Sequence, residues 1–360
     1  MGGGRRPAHR PLPARHRRDG RIRRSVSGRR PRGAPGPLPP RPRRTATTSP
    51  TTQRAREPLQ RHRHHRPGLR NTPARRRTTV QQPLSTVYAP GPDPGAATAV
   101  FLHGLGGWTH NWAALIDLVR DTAHCLAVDL PGFGRSAPPP DGVVTVGRQA
   151  AAVAGHLDRA GHRRVHLVGN SLGALAALHL AAERPDLVAT LTLVSPVLPA
   201  LPTPQALRVA LLGLPGASRL LAGQSVERQL DDLYRLIYAD PALVGDGQRA
   251  VEARERQRRA QLPYAPAVLA AGVRAVVRAH LPLPGGSPWQ QARRIAVPTL
   301  LVYGRDDRLV PFRTASRAHA AFRDARLLTL PGVGHVAMQE RPRPVAAALR
   351  ALIASHPWGA

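Results

Sequence analysis

A serine between two glycines, a pair of adjacent aspartates and a histidine behind a glycine turn each follow an apolar run in this chain of 360 residues. Val165-His166-Leu167-Val168 leads into Gly169-Asn170-Ser171-Leu172-Gly173, and the Ala/Leu-rich stretch 174–183 comes next. That order reads as buried strand, sharp turn and helix. A Ser at such a turn is held in a strained backbone conformation with its hydroxyl presented outward, and the flanking glycines let strand and helix approach closely. The five-residue pattern alone is weak, because 33 Gly and 12 Ser give roughly 0.1 chance matches. Its context is stronger. Thr299-Leu300-Leu301-Val302-Tyr303 leads to Gly304-Arg305-Asp306-Asp307, and Arg326-Leu327-Leu328-Thr329-Leu330 leads to Pro331-Gly332-Val333-Gly334-His335. Nucleophile, carboxylate and base candidates therefore occur in that order, each after a strand. A parallel sheet gathers the C-termini of its strands along one edge, where the three can meet. There a neutral His accepts the Ser proton while a carboxylate fixes its tautomer.

Two further motifs lie upstream. Ala99-Val100-Phe101-Leu102 runs into His103-Gly104-Leu105-Gly106-Gly107, and Cys125-Leu126-Ala127-Val128 into the loop Asp129–Ser136. With these five motifs in order, the chain resembles the α/β-hydrolase superfamily, in its cap-bearing, esterase-like Ser-Asp-His branch, over about residues 97–355. The resemblance implies Ser171 as nucleophile, His335 as base and Asp307 as acid, the spacing Gly-x-x-Asp selecting Asp307 over Asp306. It also implies an oxyanion hole from the backbone N–H groups of Leu105 and Leu172, two donors that stabilise a developing alkoxide. His103 is implied as support for the oxyanion loop. A carboxylate at position 171 would have pointed to a dehalogenase or an epoxide hydrolase; Ser points to acyl chemistry.

These motifs need a scaffold of alternating elements. Strands are expected near 98–103, 124–129, 165–169, 189–195, 299–304 and 326–330, and helices near 109–120, 145–160, 171–183, 312–322 and 343–354. That alternation predicts an α/β-hydrolase fold, a mainly parallel central sheet with helices on both faces. Leu84–Ala89, followed by a Pro/Gly turn, reads as the end of an antiparallel strand pair whose first strand has no clear counterpart. About 100 residues without strand pattern separate Ser195 from Thr299. The core is accordingly expected over 84–199 and 298–360, with a helical cap over 200–297 whose helical patches fall at 225–238, 251–261 and 265–280. Leu211, Leu212, Leu214, Leu220, Leu221, Tyr234, Ile237, Tyr238, Tyr264 and Trp289 are available to line the cap, although for any one of them packing onto the core is the better expectation.

The substrate expected from a Ser-Asp-His set under a Leu-rich cap is a small-molecule apolar ester or thioester with a medium-sized acyl group. The main enzymatic rival is a carbon–carbon bond hydrolase of ring-cleavage diketones, which shares Gly-Asn-Ser at the turn. Those relatives typically carry Trp after the catalytic His, where this chain has Val336, and a Pro-Gly extension where it has Gly106-Gly107-Trp108. From another class comes a binding protein that keeps the cleft but not the chemistry; such proteins commonly lose a member of the triad. No CxxC, HExxH or phosphate-binding loop occurs, so neither cofactor nor metal is expected.

The formal charge of +32 is unevenly placed. Residues 1–79 hold 24 Arg against Asp19 and Glu57, a net +22, leaving +10 for the other 281 residues. With few aliphatic and no aromatic residues, residues 1–83 cannot bury enough apolar area to offset chain entropy and are expected to be disordered. One reading makes them a polycationic tail for nucleic acid or anionic lipid. The other starts from the absence of Lys, which indicates GC-rich coding DNA; out-of-frame translation of such DNA yields this kind of text, and the start codon then lies downstream. No specific nucleic-acid partner is expected. No run of 18 apolar residues marks a membrane span, no secretory signal is recognisable, and the single Cys125 suits the cytoplasm. A chain shortened to begin near Thr78 should keep its hydrolytic activity and lose most salt-sensitive binding to DNA or anionic vesicles. Activity assays and salt titrations on both forms check this.

Overall fold

The computed structural model describes residues 83–217, 224–281 and 286–356. The chain divides into two units, Met1–Ala74 and Arg75–Ala360, and every described residue belongs to the second. The disorder expected of the arginine-rich segment thus concerns residues outside those described. In chain order the elements are β1 Thr86–Ala89, β2 Thr98–Leu102, α1 Ala113–Val119, β3 His124–Val128, α2 Val146–Arg159, β4 Val165–Asn170, α3 Leu172–Glu183 and β5 Val188–Val194. The long insertion carries α4 Pro204–Leu211, α5 Val226–Ile237, α6 Asp246–Ala260, α7 Ala265–Arg278 and α8 Pro288–Arg294. β6 Thr299–Gly304, α9 Ala315–Ala321, β7 Ala325–Leu330, α10 Ala337–Glu340 and α11 Pro342–Ala354 complete the chain.

The strands form one seven-stranded sheet in the order β1-β3-β2-β4-β5-β6-β7. Only β1 runs antiparallel, pairing Thr86 with Val128 and Ala89 with Cys125; the remaining pairs are parallel. β3 and β4 flank β2 on opposite sides, so the winding direction reverses between β2 and β4. Ligand crevices of open parallel sheets form outside the strand C-termini at such a reversal. The loops that leave β2 and β4 carry Leu105 and Ser171.

Period-two alternation splits the strands between two apolar layers. Val100, Leu102, Leu126, Val128, Leu301 and Tyr303 join α2, α3, α8 and α9 on one face. Ala99, Phe101, Cys125, Ala127, Leu300 and Val302 join α1 and α11 on the other. Cys125 is a buried core residue whose thiol is pushed up to about 12 by burial, well away from nucleophilic use. α3 is apolar on nearly every side, with Leu172 through Leu178 all buried, as a helix enclosed by sheet and neighbours must be.

Two insertion helices, α4 and α8, were not anticipated. Both start with a side-chain N-cap followed by Pro, Thr203-Pro204 and Ser287-Pro288. α8 is docked onto α3 and α9: Gln291 bonds His179, Trp289 Nε1 donates to Pro199 O, and the Arg317 guanidinium lies 4.3 Å over the Trp289 ring. Tyr234 and Tyr238 are likewise buried in packing, while Leu211 and Leu214 face solvent. Leu220 and Leu221 fall outside the described residues.

The approach of α3 to the sheet leaves no room at Gly173, where a Cβ would run into the Leu102 and His103 carbonyls. Gly173→Ala is expected to lower stability by at least about 2 kcal/mol, since backbone cannot yield as a side chain does. Gly247→Ala, on an open helix surface, should instead be neutral or stabilising by roughly 0.5 kcal/mol. Thermal or denaturant unfolding of the two variants checks the contrast.

Candidate active site

The turn from β4 into α3 places Ser171 at φ 54° and ψ −112°. A non-glycine residue pays roughly 1–3 kcal/mol for such a backbone and keeps it only where the surroundings over-determine it. Here Ser171 N donates to Val194 O at 3.1 Å, and the Asn170 amide Nδ2 donates to Val194 O at 3.2 Å and His335 O at 3.1 Å. Gly169 and Gly173 allow the contact, since a Cβ on Gly169 would meet the Gly173 carbonyl and Ala174 Cα. Ser171 is 9% exposed, and among the described residues its Oγ makes no hydrogen bond.

His335 lies on the loop after β7, which the Asn170 amide ties to the elbow. Its Nδ1 lies 2.9 Å from Asp307 Oδ2, and both side chains are nearly inaccessible, at 6% and 0% exposure. Asp307 Oδ1 accepts from Leu309 N at 2.8 Å and Val310 N at 2.9 Å. Burial, the largest influence, pushes this carboxyl up. The charge and hydrogen bond of His335, with the Val310 and Leu309 N–H groups, outweigh it and hold the carboxyl below its ordinary value. With Nδ1 engaged by a carboxylate, Nε2 is the nitrogen left to act as base. Asp306 faces away: it is exposed and its Oδ2 accepts from Gly332 N at 2.8 Å. Adjacent carboxylates thus have separate jobs, one on the His and one tying the β6 and β7 loops.

Leu172 N–H heads α3, where first-turn amides lack helical partners. Leu105 N–H belongs to the turn after β2, and Gly104 brings that turn against the elbow: its Cβ would lie 3.3 Å from Ser171 Cβ. The turn is braced from below by His103, whose Nδ1 bonds Gly104 O at 2.8 Å and whose Nε2 accepts from Leu130 N at 3.0 Å. Gly104 O can only accept, so Nδ1 carries the proton. Burial lowers the His103 pKa to about 4, which keeps that neutral tautomer in place. Asp129 accepts from Thr109 N and Arg135 N and shapes the neighbouring loop.

A family profile described as alpha/beta hydrolase fold matches residues 99–342. The chain belongs to this family. Among curated proteins it is 29% identical over 258 residues to the dihydrolipoyllysine-residue acetyltransferase component of the acetoin cleaving system of Cupriavidus necator. That match covers 69% of this chain and 61% of the relative, less than two thirds of its length. It is 28% identical over 262 residues to the protein named "Putative carbamate hydrolase RutD" of Pseudomonas syringae pv. syringae, covering 73% and 95%. It is 28% identical over 257 residues to the 2-hydroxy-6-oxononadienedioate/2-hydroxy-6-oxononatrienedioate hydrolase of a Pseudomonas species, covering 68% and 84%.

Several residues of this chain that hold the site were not singled out in the sequence. Glu340, buried at 5% exposure, accepts from Gly334 N at 2.7 Å and Ala239 N at 2.8 Å, joining the His335 loop to the segment after α5. Burial raises its carboxyl pKa despite those two bonds. His335 N donates to Ile237 O at 2.7 Å, and the Arg308 guanidinium donates to Tyr238 O at 2.7 Å. On α6, Glu252 accepts from Trp108 Nε1 and Asn111 Nδ2. The insertion therefore bonds to loops after β2, β6 and β7. Among the described residues no single helix is long and apolar enough to cross a membrane.

Asp307→Asn should cut hydrolytic turnover by about 10³–10⁴, because an amide favours the tautomer that cannot accept the Ser proton. Asp306→Asn, which retains an acceptor for Gly332 N, should stay within a few-fold of the parent. Turnover of the two variants on one substrate decides between the carboxylates, and equal losses would reverse the assignment.

Proposed function

We propose that this chain is a serine hydrolase that cleaves small carboxylic esters or thioesters with apolar acyl groups, using Ser171, His335 and Asp307. The observation that carries the reading is the buried Asp307–His335 pair, tied by the Asn170 amide to the turn that holds a strained serine whose Oγ is free among the described residues. His335 Nε2 takes the Oγ proton as Oγ attacks the carbonyl carbon, and the oxygen that becomes anionic is met by the N–H groups of Leu105 and Leu172. Collapse expels the alcohol or thiol, to which His335 returns the proton, and leaves an acyl group on Ser171. Water activated by the same imidazole then releases the acid. Catalytic contacts of this kind commonly tighten only when substrate is bound, which fits the free Oγ.

The insertion acts as a cap in this reading. Its α7 reaches the oxyanion loop: Leu269 Cδ1 lies 3.6 Å from the Cβ position of Gly106, and Gly272 abuts the side chains of Leu105 and Phe133. Those contacts make the neighbourhood of the reacting carbon apolar, which suits an apolar acyl group. Relatives of equal identity are named for carbamate and for 2-hydroxy-6-oxononadienedioate, so overall identity does not choose the bond. Local residues favour the ester: Val336 follows His335, and Trp108 ends the turn after Gly106-Gly107.

A panel of p-nitrophenyl esters of graded chain length, run beside a ring-cleavage diketone, tests the proposal. Esters should be turned over in preference to the diketone, and preference for the diketone would overturn the reading. Ser171→Ala should lower ester turnover at least about 10³-fold while folding normally, with residual rate from the oxyanion donors. Near-normal turnover in that variant removes Ser171 from the mechanism.

A further inference from the structure

α6 presents a charge cluster that the reaction scheme does not use. Glu255 is buried, its side chain 3% exposed, and it accepts from Arg258 Nε at 2.8 Å and NH2 at 2.7 Å and from Arg259 Nε at 2.8 Å. Arg258 NH2 reaches on to Gly134 O, in the loop after β3. Arg259 extends its other two nitrogens to the oxyanion loop, NH1 to Gly106 O and NH2 to Gly107 O, the latter at 3.1 Å. One guanidinium thus spends its planar fork on two consecutive backbone carbonyls, a geometry an ammonium cannot copy.

Those carbonyls matter because each peptide unit is planar, with C=O and N–H pointing in opposite directions. The Gly106 carbonyl shares its plane with Gly107 N–H, and Gly107 N donates to Gly104 O at 3.0 Å. The Gly104 carbonyl shares its plane with Leu105 N–H. Fixing Gly106 O therefore fixes Gly107 N–H, which fixes Gly104 O, which aims Leu105 N–H. Gly106, at φ 69°, has no side chain to resist a flip of this turn. His103 holds the Gly104 plane from the core side; Arg259 holds it from the insertion side.

We propose that Arg259, seated by Glu255, is a positioning residue that orients the oxyanion donor Leu105 N–H, so that α6 supplies part of the rigidity of the oxyanion hole. The proposal rests on the serine-hydrolase reading above. An oxyanion donor can stabilise charge only if its direction is set before the charge develops, and displacement of a catalytic group by about 1 Å can cost 10²-fold. Arg259→Ala should consequently lower kcat on p-nitrophenyl butyrate about 10–100-fold with KM within about two-fold. Arg259→Lys, which can reach one carbonyl, should recover part of the rate. Glu255→Gln should act in the same direction and more weakly. Arg254→Ala, on the exposed side of α6, is the control and should leave kcat unchanged.

Hydrogen exchange of peptides spanning residues 104–112 gives a readout independent of turnover. Exchange at Leu105–Gly107 should accelerate in Arg259→Ala while α3 and the sheet keep their protection. Unchanged exchange in this turn overturns the proposal whether or not the protein hydrolyses esters. Accelerated exchange with unchanged kcat overturns it as a catalytic role. A global loss of protection that Arg259→Lys does not repair overturns it in favour of a purely structural one. Faster exchange in Arg259→Ala beside a parent protein that hydrolyses no ester sinks the serine-hydrolase reading and leaves the clamp on the Leu105 turn standing.

Discussion

The close approach of the β4–α3 elbow to the end of β2 is the contact on which the site depends. It exists because three positions carry no side chain. Gly169 and Gly173 let the helix start against the strand, and Gly104 lets the next loop lie against Asn170 and Ser171. The strained φ of Ser171 is a consequence of that approach. Strand β5 then secures the elbow through the Val194 carbonyl, which takes both Ser171 N–H and the Asn170 amide. Strain persists because the hydrogen bonds and the packed α3 leave the backbone no neighbouring state to relax into.

The same elbow sets the position of the imidazole. Asn170 Nδ2 bonds the carbonyl of His335 itself, so the residue before the serine also anchors the residue proposed as its base. Asp307 engages the ring itself at Nδ1, its second oxygen occupied by two loop amides. A carboxylate held by fixed dipoles can remain ionised at 0% exposure, whereas an unpaired one would protonate. Burial and charge are compatible here only because the partner groups are already aimed.

Much of this was legible in the sequence because it is written locally. Glycines around Ser171, the Gly-x-x-Asp after an apolar run and the Gly-His after the next run each describe one strand end, and period-two alternation marks the sheet. The two adjacent aspartates take different partners, Asp307 the His335 ring and Asp306 the Gly332 N–H, a difference that residue type alone does not reveal. The insertion was harder to read. α4 and α8 are short and begin at Thr-Pro and Ser-Pro, signals easily taken as loop. Glu255, Arg258 and Arg259 sit in a run of charges that looks like an ordinary solvated helix face. Their partners, Gly106, Gly107 and Gly134, lie more than 100 residues away and contribute only backbone, which leaves no trace in residue type. Glu340 is hidden for the same reason, since both of its donors are main-chain amides.

Sheet and insertion consequently divide the site between them. The elbow is held by core elements: β4, β5, α3 and the turn at Gly104. The His335 loop is held by core and insertion together, through Asn170 and Asp307 from the core, and from the insertion through Ile237 O and through Ala239 N by way of Glu340. The oxyanion loop is likewise held twice, by His103 beneath and by Arg259 above. Proteins transmit small displacements well because their packed interiors yield little. A shift of α5 or α6 therefore reaches the His335 loop and the Leu105 turn directly, while Ser171 stays put. An insertion so connected is suited to adapt the site to different ligands only within narrow limits, because any repacking that moves its helices also moves the His335 loop and the Leu105 turn.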